Sequence, residues 1–72
     1  MKKIKKIKIK INGKIKSIIQ DSNLSMVLKN IKIPLNKVAI ELNEEIIDKK
    51  NLNKIKLKQN DKIEIVHFIG GG

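Results

Sequence analysis

Isoleucine and lysine alternate near the start of the chain. Ile7, Ile9 and Ile11 are interleaved with Lys6, Lys8 and Lys10, a period of two that predicts a half-buried strand. Asn12-Gly13 follows. Both central residues of a type I′ turn need positive φ, so this pair predicts a hairpin. The return strand is expected over residues 14–19, with Ile15 and the Ile18-Ile19 pair supplying its apolar contacts. Asp21, Ser22 and Asn23 then offer side-chain oxygens for a helix N-cap. Leu24, Val27, Leu28 and Ile31 fall at i, i+3, i+4 and i+7, one apolar stripe on a short helix over 24–30. Pro34 prevents its continuation, because proline lacks the amide hydrogen and clashes with the preceding turn.

In the second half, Val38, Ile40 and Leu42 alternate with Ala39 and Glu41, which predicts a third strand. Asn43-Glu44 makes a turn into a short fourth strand, 45–47. Residues 48–58 are polar, with Leu52, Ile55 and Leu57 pinned in, and predict an irregular crossover with a helical turn. Gln59-Asn60-Asp61 is the next turn, and the last strand covers 62–68. The order is hairpin, helix, strand pair, crossover, strand. A helix covering one face of the sheet these strands form gives an α+β two-layer domain.

Composition narrows the function. Seventy-two residues make one domain, with no internal repeat or linker. At this size a single core rarely supplies more than about 3–5 kcal/mol. No cysteine means no disulfide and no thiolate nucleophile, and one histidine without cysteine argues against a structural zinc. The expectation is a carrier, subunit or binding module with no bound cofactor, and not an enzyme.

The net charge of +10 invites a nucleic-acid reading. Its distribution argues otherwise. Residues 1–16 hold eight lysines and no acid, whereas 17–72 hold nine lysines and seven acids. There is no arginine to read guanine or grip phosphate in a fork, and Phe68 is the one aromatic, so no stacking platform exists. Specific nucleic-acid binding is therefore not expected. The lysines read mainly as a solvated face, some of them able to steer docking onto acidic surfaces. Lysine at the start is not followed by an apolar signal core, and no stretch approaches the roughly 18 apolar residues of a membrane span. A cytoplasmic location without membrane partners is expected.

The candidate chemistry lies at the end. Three of the four glycines are Gly70, Gly71 and Gly72. Such a run can be an unconstrained terminus, or it can be a tail slim enough to thread a narrow partner site. Residues 69–72 would reach roughly 13–14 Å when extended. A free carboxylate is a poor electrophile until an oxygen becomes a leaving group, and ATP can achieve that through an acyl-adenylate. The chain has no GxxxxGK[ST] phosphate loop, so activation would fall to a partner.

The stretch Lys8 to Gly13, the segment Val38-Ala39-Ile40-Glu41-Leu42-Asn43 and the ending from Asn60 through Val66-His67-Phe68-Ile69-Gly70-Gly71-Gly72 resemble the ThiS family of sulfur carrier proteins in thiamine biosynthesis. The resemblance covers about residues 7–72 and is most specific from Asp61 onward. Asn60 stands where the family often has glycine, which is compatible with a turn because asparagine tolerates the left-handed region.

The resemblance implies a ubiquitin-like β-grasp fold, a mixed sheet of about five strands with one main helix on one face and the last strand central, parallel to the first. Residues 1–6 lie outside the resemblance and read as a lysine-rich extension, mobile or loosely paired, ahead of a domain at 7–68 and a flexible tail at 69–72. The implied activity is sulfur carriage. A ubiquitin-activating-type adenylyltransferase, consuming ATP, would adenylate the Gly72 carboxylate. A persulfide donor protein would supply sulfur, and the thiocarboxylate would feed thiazole synthase. Gly70 and Gly71 would thread into the partner. Related alternatives are the small subunit of molybdopterin synthase, another thiolation carrier, or a ubiquitin-like protein modifier.

On the last strand, Ile63 and Ile65 share one face, and His67 follows them in phase, so its ring is expected to pack near the sheet end. Lys62 and Glu64 mark the opposite face as wet, yet Val66 and Phe68 belong to it. These are either covered or form an exposed contact patch, and the resemblance favours a patch for the activating enzyme, with Ala39 extending it.

Overall fold

The computed structural model describes residues 4–68. Five strands form one mixed sheet: β1 (Lys6–Ile11), β2 (Lys14–Ile19), β3 (Val38–Leu42), β4 (Glu45–Ile46) and β5 (Lys62–His67). Their order across the sheet is β2-β1-β5-β3-β4. The last strand is thus central, parallel to β1 and antiparallel to β3. Helix α1 (Leu24–Asn30) and a six-residue 3-10 segment (Lys49–Lys54) supply the second layer.

Two tight turns set the registers. Asn12 and Gly13 have φ of 48° and 83°, the left-handed pair of a type I′ turn, which closes β1 on β2 with Ile11 opposite Lys14. Asn43 and Glu44, at 51° and 73°, do the same for β3 and β4. Asn60 sits at 72°, the left-handed conformation that the family's usual glycine would take without strain.

The helix begins where its cap predicts. Asn23 Oδ1 accepts from the Met26 amide at 2.8 Å, satisfying one of the free donors of the first turn. It ends in a Schellman motif: the Lys32 amide donates to Lys29 O at 3.1 Å and the Ile33 amide to Leu28 O at 3.4 Å. Leu24, Val27 and Leu28 are buried with Ile9, Ile18, Val38, Ile40, Leu52, Leu57, Ile63 and Ile65 in a single core. Ile31 is half-buried at its margin. Backbone bonds from Leu24 to Ile55 and from Leu57 to Ser22, each 2.9 Å, fasten the crossover to the helix start.

Several expectations need correction. Ile15 and Ile19 do not contribute to the core; they are 68% and 55% exposed, and Ile18 alone of β2 is buried. The register explains it, because Ile18 faces Ile7 while Ile15 and Ile19 face Lys10 and Lys6 on the opposite side of the sheet. Lys6 belongs to β1, and the Lys5 carbonyl accepts from the Gln20 amide at 2.9 Å, so pairing begins before residue 7. Residues 1–3 lie outside the described region. The strand expected over 45–47 ends at Ile46, and that expected over 62–68 ends at His67.

Candidate functional site

The tail residues Ile69, Gly70, Gly71 and Gly72 lie outside the described residues. The structure places the strand that leads to them. β5 is bonded to β3 over five residue pairs, from Leu42–Ile63 to Val38–His67, and the Phe68 amide donates to Lys37 O at 3.1 Å. The backbone is thus held in the sheet up to the threshold of the glycines.

On the β1 side the pairing is shorter. Only Lys10–Lys62 and Ile11–Ile63 are strand partners, because β1 turns away at Asn12. The Asn12 side chain continues the ladder in its place. The Ile65 amide donates to Asn12 Oδ1 at 2.7 Å, and Asn12 Nδ2 donates to Ile65 O at 3.3 Å. At the start of β5, Asn43 Oδ1 accepts from the Lys62 amide at 2.9 Å, and Asp61 Oδ2 accepts from the Lys58 amide at 2.8 Å. Side chains therefore fix the start of the strand and its middle.

The face of the sheet opposite the helix carries the apolar residues of interest. Val66 is 48% exposed and Phe68 56% exposed. Ala39, directly opposite Val66 on β3, is half-buried. Val66 and Ala39 are thus neighbours on this face, and Phe68 follows Val66 in the same phase, just past the end of β5. The Lys49 ammonium lies 5.3 Å from the Phe68 ring centroid, close enough for a cation–π contact. Burying Phe68 against another protein would require Lys49 to be accommodated or displaced.

His67 is not packed in the core as its phase suggests; it is exposed. It shares a face with buried Val38, but it lies beyond the end of β1 and has a strand neighbour on one side only. Two features beside the patch escaped the sequence. Ile46 is 77% exposed and stands opposite Glu41, and Glu41 stands opposite Glu64. Counting outward from the Asn43-Glu44 turn would have paired Leu42 with Glu45 and Glu41 with Ile46, so that signal was present. The outer face is consequently divided. Lys6, Lys8, Lys10 and Lys62 occupy its β1 side, while Glu41, Glu64 and the apolar residues occupy the side of β3 and the tail. A hollow of about 300 Å³ lined by Lys8, Lys10, Ile15, Gln59, Asn60 and Lys62 lies at the end of β5 remote from the tail.

Among the described residues, no cluster of histidine and acidic side chains could hold a metal ion, and no helix is long and apolar enough to cross a membrane.

The crystal structure of a thiamine biosynthesis protein, ThiS, from Geobacter metallireducens superposes with a TM-score of 0.81 at 26% identity, covering 92% of this chain and 100% of that one. The sulfur carrier protein ThiS of Bacillus subtilis is 51% identical over 35 residues, 49% of this chain and 53% of that protein. A thiazole synthase of Paramagnetospirillum magneticum is 35% identical over 66 residues, 92% of this chain but 20% of the synthase. The chain thus spans about half the length of the Bacillus relative and one fifth of the synthase. A sequence model of the ThiS family matches residues 9–72, through the last glycine. Fold and family match agree: this chain belongs to the ThiS family.

Proposed function

We propose that the chain is a sulfur carrier of thiamine biosynthesis whose working group is the Gly72 carboxylate. A carboxylate oxygen attacks the α-phosphate of ATP on a partner adenylyltransferase, and pyrophosphate leaves. The terminal sulfur of a persulfide on a donor protein then attacks the acyl carbon, and AMP departs with the oxygen, which leaves an acyl disulfide. A second thiol attacks the donor's sulfur, so that the S–S bond breaks, a disulfide forms on the donor side and the thiocarboxylate is released. The resulting thiocarboxylate is a stronger nucleophile than the carboxylate and passes its sulfur to thiazole synthase. The chain supplies no acid, base or metal for these steps. Its part is to present an unhindered carboxyl group on glycines that fit a narrow site, and to dock.

The observation that carries this reading is the family match running through Gly72. The exposed patch of Val66, Phe68 and Ala39 supports it, because an apolar surface beside the tail can hold a partner while the glycines enter its site. The Paramagnetospirillum relative supports the choice of acceptor, since there a segment like this chain is part of a thiazole synthase.

The test is intact-mass analysis after incubation with the adenylating enzyme, ATP and a sulfur donor. Exchange of one oxygen for sulfur, mapped to Gly72 and abolished by its deletion, is expected. An unchanged mass in the presence of active enzyme would overturn the proposal. So would a label found on a lysine, which would indicate a protein modifier instead.

A further inference from the structure

β2 is an edge strand, and among the described residues its outer edge has no neighbouring strand. In a two-residue hairpin the closing pair exchanges hydrogen bonds, and bonded pairs then alternate along the ladder. Here Ile11–Lys14 closes the turn, so Ile9–Lys16 and Ile7–Ile18 are also bonded pairs. The backbone groups of Ile15, Ser17 and Ile19 must therefore point away from β1. The bonds on the far side of β1 obey the same alternation: the Lys10 amide and the Lys8 carbonyl reach across to Asp61 and Asn60. Of the outward groups on β2, the Ile19 carbonyl is occupied by the amide and hydroxyl of Ser22, at 3.1 and 2.6 Å. Among the described residues, the groups of Ile15 and Ser17 and the Ile19 amide form an unpaired row.

Three further observations converge on this edge. Ile15 and Ile19 flank the row as exposed β-branched side chains on the outer face. On the other face, a groove of about 330 Å³ runs between β2 and α1, lined among others by Lys16, Ile18, Met26 and Val27, with Met26 mostly exposed. The charge is predominantly basic: Lys5, Lys6, Lys14 and Lys16 lie around the edge, and against them stands Asp21, two residues past the end of β2. An open edge with exposed apolar side chains is the template for an added strand, and proteins usually blunt it. Here, among the described residues, the edge is blunted by lysine, which repels a second copy of this basic chain and attracts an acid.

We propose that the free edge of β2 docks an extended acidic segment of a partner protein, which adds as a sixth strand. Because side chains alternate along a strand, the segment's composition is constrained. On one face it carries apolar residues that cover Ile15 and Ile19. On the other it carries carboxylates opposite Lys14 and Lys16, with room for an apolar side chain against Met26. Main-chain hydrogen bonds hold the strand, and the alternating side chains select it. This surface is distinct from the Val66–Phe68 patch, so both can be occupied at once.

The test uses the intact chain and a short synthetic peptide alternating valine and glutamate. Saturable binding is expected, with amide exchange of Ile15, Ser17 and Ile19 slowed about tenfold or more and resonances of Met26 shifted. The same peptide N-methylated at alternate amides should not bind, nor should one alternating valine and lysine. Ser17→Pro removes an outward amide without touching the bonds to β1 and should weaken binding at least about tenfold. The pair Lys14→Glu and Lys16→Glu should do likewise, and should admit the valine–lysine peptide. The proposal is overturned if peptide shifts map to Lys8, Lys10 and Lys62 instead of the edge, or if the N-methylated peptide binds equally. It is also overturned if concentrating the protein alone protects the three amides, which would assign the edge to a second copy.

Discussion

The side-chain amide of Asn12 pairs with the backbone of Ile65 as a residue of a neighbouring strand would, through bonds of 2.7 and 3.3 Å. One residue thus makes the turn between β1 and β2 and bonds the strand that leads to the tail. Asn12→Gly separates the two roles, since glycine takes the positive φ freely but has no amide to offer. We expect a loss of about 1–3 kcal/mol, because the part-buried amide of Ile65 is left without a partner. Urea unfolding with a lower midpoint and unchanged slope is the readout.

Lys32 and Glu44 hold φ of 56° and 73°, in the left-handed region that costs non-glycine residues about 1–2 kcal/mol. Lys32 does so at the position after the C-cap, where glycine is usual. Lys32→Gly and Glu44→Gly should each raise stability by about 0.5–1 kcal/mol, the relief of strain exceeding the extra entropy of the unfolded chain. Thermal unfolding checks this, and a fall in melting temperature for either would contradict it.

Phe68 is exposed, so its removal should barely change folding, by no more than about 0.5 kcal/mol. If the patch docks the adenylating enzyme, Phe68→Ala should weaken that complex at least about tenfold, and Phe68→Asp further. Calorimetric titration beside a melting curve separates the two effects. Lys49→Ala is the companion variant, removing the ammonium now over the ring. It should leave stability within about 1 kcal/mol and docking undiminished.

Glu41 and Glu64 face one another across β3 and β5. Like charges directly opposite on a sheet are destabilising by about 0.2–1 kcal/mol. Glu64→Gln should therefore stabilise the chain by an amount within that range at low ionic strength. The gain should fade as salt screens the pair, which denaturant titrations at two salt concentrations would reveal.

Much of this fold was legible because its turns are spelled out. Asn12-Gly13 fixed the first hairpin, Asn23 fixed the helix start, and the Leu24, Val27, Leu28 stripe fixed the buried face. β2 was harder because the Ile18-Ile19 doublet places isoleucine on both faces and hides the period of two. Extending the register of the Asn12-Gly13 turn would have turned Ile15 and Ile19 outward. His67 followed the core phase but outran the neighbouring strand, which no pattern within β5 reveals. At the site, Val66 and Phe68 stood out because they are apolar on a face marked wet by Lys62 and Glu64. The Asn12–Ile65 bonds were invisible, since they join positions 53 apart through a side chain.

The central position of β5 has a mechanical consequence. A partner that grips the segment after Phe68 pulls along the strand axis. That load meets hydrogen bonds on both flanks, to β3 along one side and to β1 and the Asn12 side chain along the other. The bonds lie across the direction of pull, so they resist together in shear instead of parting one by one as a peeled edge would. If the proposed function holds, a load applied after Phe68 would meet the sheet in the geometry that resists it best, and the domain would stay folded while a partner held the chain beyond it.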